Sequence, residues 1–313
     1  NETLDLLNEF MSDMHVRIED NSKLEKLVES SKLTRDQEFK DPSTAGRALR
    51  DYVMYGKKSP FLRRSTLKEV QSMTSNFLID QAKEAMQHEV DIFYTGTINE
   101  VAVIDQIKNR VSISENLKAS KSPITMDYKK HTRNKVFLID DPKAVQSQIY
   151  IMGQGKVLDM ESRSTSDVFN KYFGSGMASI IFQEIREFRS LAYTAYGAYV
   201  NRPDMELPGY FIGYMGTQVD KSMEAISTYM DLFKNMPIKE NRISTIKSGL
   251  TQSINTRKPG WRSQGAYVSR AIKQGYDNDP NILDYNNYDN VNFDDIINFY
   301  KNNITKDPIV ITI

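Results

Sequence analysis

Between Met177 and Arg189, apolar side chains recur at Met177, Ile180, Ile181, Ile185 and Phe188. That spacing gathers them on one face and predicts a helix. Gly174, Ser175 and Gly176 break the run before it, and Ser175 or Ser179 is placed to cap its start. Arg186 and Arg189 fall at the far end, where cations suit the exposed carbonyls. From Ala192 to Val200 the period shortens to two, with Tyr193, Ala195, Gly197 and Tyr199 on one face and Ala192, Thr194, Tyr196 and Ala198 on the other. This predicts a strand whose small residues let another element pack close.

Residues 1 to 90 read almost wholly as helix. Leu4, Leu7, Met11 and Met14 share a face, and a second helix is expected around Leu24 to Ser30. Asp41-Pro42-Ser43 signals a cap, followed at helical spacing by Ala45, Ala48, Leu49, Tyr52 and Val53. Ser65 or Thr66 and then Thr74 or Ser75 begin further helices, the latter carrying Phe77, Leu78, Ala82 and Ala85. Val90 to Tyr94 is expected as a short strand, and Val101, Ile104 and Ile107 mark another helix.

Ser112 to Tyr128 is polar and aperiodic. Beyond it, strands are expected at Val136–Ile139, Gln148–Met152, Tyr210–Gly216 and Ile309–Ile313. Helices are expected around Val168 to Tyr172 with Ser166 as cap, from Asp220 through Phe233, from Ile243 through Ile254, over 261–274 and over 294–301. The Asp277-Asn278-Asp279 run lacks the acidic spacing of a calcium loop and reads as a turn.

A shift of 218 residues sets Met73 on Val291, Leu78 on Ile296, Lys83 on Lys301 and Ile92 on Val310 without a gap. In both copies a helix leads through a polar turn into a strand. The domains expected are therefore a partial, mostly helical α+β domain over 1–113, a linker over 114–128 and a complete α+β domain over 129–313. The fold class is α+β, with a mixed, largely antiparallel sheet and helices packed on one face.

Composition narrows the chemistry. Lysines and arginines balance aspartates and glutamates at 41 each, so nothing draws nucleic acid or an anionic membrane over distance. No apolar run reaches the ~18 residues of a bilayer span. The absence of cysteine removes disulfides and thiolate metal sites. Three histidines, His15, His88 and His131, stand apart, none at metal-ligand spacing. An asparagine- and tyrosine-rich, cysteine-free chain carries an expectation of a bacterial periplasmic location.

The run Asn170…Gly174-Ser175-Gly176-Met177…Phe182-Gln183-Glu184-Ile185-Arg186-Glu187-Phe188-Arg189-Ser190-Leu191-Ala192-Tyr193 resembles the pitrilysin/insulinase family of zinc metallopeptidases. Ser175 stands where the family has the middle of three glycines, and Ser190 where it has the glycine before Leu-Ala-Tyr. The resemblance spans about 129–313 and, more weakly, 1–110. It implies paired homologous halves enclosing a peptide chamber, one of them carrying an H-x-x-E-H zinc motif. That motif is missing here, so the resemblance implies the non-catalytic half, with no cofactor in this chain and zinc in the partner half. It implies that Arg186 and Tyr193, seven residues apart, face that zinc, hold peptide substrate and help stabilise an oxyanion. It also points to Gly174, Ser175 and Gly176 as candidate substrate contacts. The residues alone leave a second reading open, with Arg186 capping carbonyls, Tyr193 packing in the sheet, and the chain a scaffold or interaction subunit of the same fold.

Overall fold

Short polar side chains set many of the helix starts. In the computed structural model, Asp41 accepts hydrogen bonds from the Ser43 and Thr44 amides, Thr66 from Glu69, Thr74 from Phe77, Asp159 from Ser162 and Asn292 from Asp295. Each satisfies a backbone donor that the first helical turn leaves unpaired. The structure describes all residues except 1, 14–20, 39, 115, 121–123, 257 and 305–308. Met14, His15 and the Asp307-Pro308 turn therefore lie outside the described residues.

In chain order the helices are α1 (Glu2–Ser12), α2 (Ser22–Glu38), α3 (Pro42–Tyr55), α4 (Pro60–Arg63), α5 (Leu67–Ser72), α6 (Ser75–Ala85), α7 (Glu100–Arg110), α8 (Met160–Phe173), α9 (Ser222–Lys234), α10 (Ile243–Thr256), α11 (Gln264–Lys273), α12 (Pro280–Tyr288) and α13 (Phe293–Asn303). The strands are β1 (Lys135–Phe137), β2 (Gln146–Gln154), β3 (Ala192–Val200), β4 (Tyr210–Gln218) and β5 (Ile309–Thr312). The chain divides into one unit of residues 1–40 and 63–126 and another of residues 41–62 and 127–313. The second unit thus takes up α3, a segment the sequence groups with the first domain.

The second unit is a five-stranded sheet in the order β1-β5-β2-β4-β3, with every neighbouring pair antiparallel except β1 and β5. The mixed, largely antiparallel α+β architecture is as the sequence predicts. Alternation along the strands sorts the side chains. Ile149, Ile151, Ala195, Tyr199, Phe211 and Met215 join Phe169, Phe173, Tyr229, Ile296 and Phe299 from the main helical layer in one buried core. Burying each large side chain there contributes roughly 1.5–3 kcal/mol. Tyr150, Met152 and Val310 point to the opposite face, where α3 lays Val53 and Met54 on them. Gly46 lets α3 approach, since a Cβ there would stand 3.2 Å from Gln148 Cβ.

The first unit is built of α1, α2, α5, α6 and α7, and none of these helices has a buried residue. Polar contacts join them. The Arg110 guanidinium donates to both Asp5 oxygens at 2.7 Å, Asn8 accepts from the Ser112 amide at 2.8 Å, and Arg64 pairs with Glu38 at 2.7 Å.

Four local expectations are corrected. Residues 90–94 form no strand, because no partner strand lies beside them among the described residues; the nearest bridge joins His88 to Lys118. Ser166 is buried inside α8, which starts a turn and a half earlier at the Asp159 cap. Asp220 sits in a 3-10 turn, Val219–Lys221, and makes no cap bond to α9. The helix expected over 177–189 is a π-helix, Phe182–Glu187, after a short turn.

Candidate functional site

The last turn of α8 runs along the outer edge of β3. Asn170 and Gly174, four residues apart, both face that edge. The Asn170 carboxamide accepts from the Tyr199 amide at 2.6 Å and donates to the Tyr199 carbonyl at 2.9 Å. The Gly174 carbonyl accepts from the Gly197 amide at 3.1 Å. This spacing satisfies an edge strand that would otherwise expose unpaired backbone groups.

The glycines are a matter of distance. A Cβ on Gly174 would lie 2.2 Å from the Gly197 carbonyl oxygen and 2.4 Å from its nitrogen. On the next layer, Tyr229 donates to the Tyr196 carbonyl at 3.0 Å and crosses over Gly197 and Gly213, where a Cβ would fall within 2.4 Å of its hydroxyl. Gly174 is buried, Ser175 half-buried and Gly176 exposed with φ of 103°. The geometry gives Gly174 a packing role. A substrate contact at Ser175 or Gly176 belongs to the proposal below.

From this turn the chain enters the π-helix. Ser179 is its start: its hydroxyl accepts from the Phe182 amide at 3.4 Å and donates to the Gly176 carbonyl at 2.7 Å. The wide turn closes with the Phe188 amide on the Gln183 carbonyl at 2.9 Å, five residues back. Such a turn inserts one residue relative to an α-helix and re-aims the side chains that follow; π-turns recur at functional sites. Glu184 anchors it, accepting from Arg189 at 2.5 Å and lying 3.3 Å from the Lys239 ammonium. The Arg189 hydrogen bond holds the Glu184 carboxyl below its usual pKa.

The chain then turns at Ser190 with φ of 50°. This left-handed conformation is one an L-residue adopts at a cost of ~1 kcal/mol and glycine adopts freely. The Leu191 amide returns to the Ile185 carbonyl at 2.9 Å, and a bulge between Ala192 and Thr194 interrupts the pairing of β3 with β4. Tyr193 sits in that bulge, 80 % exposed.

Arg186 and Tyr193 consequently stand side by side. The guanidinium carbon of Arg186 lies 5.0 Å from the centre of the Tyr193 ring and 4.7 Å from that of Phe182, and Glu187 is 3.6 Å away. Stacking between rings orients the guanidinium plane while leaving its in-plane N–H donors directed outward. Phe182 is the member of this stack that the spacing of Arg186 and Tyr193 did not disclose; its signal was its place at the head of the same motif. Both polar groups reach the surface of the unit, and together they offer a charged donor and a phenolic donor to one ligand atom.

The described residues hold no group of three histidine, cysteine, aspartate or glutamate side chains that could bind a metal ion. The His88 Nδ1 lies 3.2 Å from the Ala119 carbonyl, and the His131 Nε2 lies 3.2 Å from the Val53 carbonyl. Burial pushes the His131 pKa down. His15 lies outside the described residues. No helix among them is long and apolar enough to cross a membrane.

A family model described as the peptidase M16 inactive domain matches residues 87–250. The chain belongs to that family. Three solved structures share its fold. The peptidase M16 inactive domain from Pseudomonas fluorescens has a TM-score of 0.69 at 13 % identity, covering 94 % of this chain and 70 % of that one. A conserved protein from Enterococcus faecalis has a TM-score of 0.73 at 17 % identity, covering 99 % and 73 %. The periplasmic protease PqqL from Escherichia coli has a TM-score of 0.70 at 11 % identity, covering 99 % of this chain and 34 % of the protease. No curated protein sequence matches. The pitrilysin/insulinase resemblance is thus a family membership, of the inactive-domain type.

Proposed function

We propose that this chain is the substrate-binding, non-catalytic half of a zinc metalloendopeptidase. In this reading Arg186 and Tyr193 face a zinc ion held by a homologous partner half. The observation that carries it is their juxtaposition at an exposed strand bulge, stacked, with donors outward. The zinc, when bound by that other half, would polarise the scissile carbonyl. This chain's own residues supply no metal ligand set and do something separate. Arg186 and Tyr193 donate hydrogen bonds to the carbonyl oxygen as negative charge grows on it, and Ser175 and Gly176 border the peptide beside them. Donors fixed before the reaction stabilise the developing charge without reorganising. The peptide-binding role, the partner half and a periplasmic location form one reading, and the fold shared with a periplasmic protease supports it.

In the assembled enzyme, Tyr193→Phe and Arg186→Ala should each lower kcat/KM by about 100-fold or more, chiefly through kcat, as loss of an oxyanion donor does. Unaltered kcat/KM in both variants would overturn the assignment and leave the scaffold reading. The isolated chain should cleave no peptide, and one zinc ion bound tightly per chain, measured by elemental analysis, would also refute the proposal.

A further inference from the structure

The helices repeat along the chain with conserved ends. Shifted by 218 residues, α2 covers 240–256, the combined span of the 3-10 turn Glu240–Arg242 and α10. The same shift carries α6 onto 293–303, the bounds of α13, and α1 onto 220–230, within the turn before α9 and α9 itself. The caps repeat as well: Thr74 and Asn292 each accept from the third amide onward, of Phe77 and Asp295.

What surrounds the copies differs. α13 buries Phe293, Ile296, Phe299 and Tyr300, while α6 buries nothing and leaves Phe77 and Leu78 exposed. After α13 the chain enters β5, where Val310 is 2 % exposed between two strands. At the equivalent place after α6 it runs through 90–94, where Val90, Ile92, Phe93 and Tyr94 are all exposed and Ile92, the counterpart of Val310, is 53 % exposed. An extended apolar run without ladder partners is a template for strand pairing. A helical layer with an uncovered apolar face needs a second layer to bury it.

We infer that residues 91–94 are a strand of a second β-sheet and that α1, α2 and α6 are the cover for one face of it. The occupant is an antiparallel sheet built like β2, β3 and β4, carried by residues of the same polypeptide on the N-terminal side of residue 1. The repeat names this occupant, because the shift that superposes the helices carries β2, β3 and β4 to positions preceding residue 1. A second copy of this chain would bring another helical layer and another lone strand, not the sheet that the layer lacks.

The encoded sequence just upstream of residue 1 is the first test. Segments with strand-like alternation at the spacing of β2, β3 and β4 support the inference, and helical or low-complexity sequence there overturns it. In the complete polypeptide, amide hydrogen exchange over Ile92 to Tyr94 should slow at least about 100-fold relative to the 313-residue chain, to the level of Val310 to Thr312. Equal exchange in the two proteins overturns it. Ile92→Lys should lower the Tm of the complete polypeptide and leave that of the 313-residue chain unchanged. Protection of 91–94 that appears instead with dimerisation of the 313-residue chain would assign the strand to a second copy and refute the proposed occupant.

Discussion

Leu78 and Ile296 occupy equivalent turns of equivalent helices, yet one is 41 % exposed and the other 0 %. The helices around them have the same length and the same kind of cap. Local sequence is therefore enough to form a helix in either unit. Burial comes from the layer opposite, and only the second unit has a sheet to supply it among the described residues. The difference teaches that a capped amphipathic helix reports its own ends reliably and says little about what covers it.

The largest expected effect breaks this comparison most directly. Ile296→Ala should cost about 2–5 kcal/mol of unfolding free energy, because it opens a cavity in the core beside the sheet. Leu78→Ala, at the equivalent position, should cost under ~0.5 kcal/mol in this chain, as surface changes do. Denaturant melts of both variants decide it, and similar losses would mean that α6 is buried after all.

Acid should separate the units next. Burial, reinforced by the Asp284 carboxylate, pushes Asp167 up to about 6. Other groups act on it too: Tyr288 donates to it, and Arg163 and Lys171 favour its charged form. The folded state binds this proton more tightly than the unfolded chain, so its contribution is present at low pH and is lost as pH rises from about 4 to about 6. The change across that window should be roughly 2–3 kcal/mol, and Asp167→Asn should flatten it in melts followed by circular dichroism. In the first unit Glu38 is shifted the other way, held low by its hydrogen bond from Arg64. That contribution is present at neutral pH and fades on acidification, so hydrogen exchange of α2 should quicken where that of α8 slows.

The smallest effect lies beside the candidate site. Ser190→Gly should raise stability by about 0.5–1 kcal/mol by relieving the left-handed backbone, less the entropy that glycine adds to the unfolded chain. A thermal melt measures it. A loss of stability would show that the Ser190 side chain carries an interaction outweighing the strain.

Much of the candidate site was legible beforehand. The spacing of Arg186 and Tyr193 pointed to a pair, and the structure brings the two side chains together. The small residues of β3 announced a close approach, and Gly174 and Tyr229 make it. What was not legible was the route between them. Met177, Ile180, Ile181, Ile185 and Phe188 fit a helical period, but the hydrogen bonds that widen the turn depend on Leu191 returning to Ile185 and on Lys239 holding Glu184. These are contacts between elements, and no periodicity encodes them.

The sequence by itself determined the helix ends, the alternation of the strands, the family and the two residues on which the function is argued. Caps, side-chain period and a linear motif all act within a few residues, so they survive without knowledge of the rest. Tertiary structure alone decided which extended segments became strands, which helices were buried, where α3 went and how Arg186 was turned toward Tyr193. A strand is half of a hydrogen-bonded pair and a buried face is half of an interface, and each exists only when a distant part of the chain provides the other half.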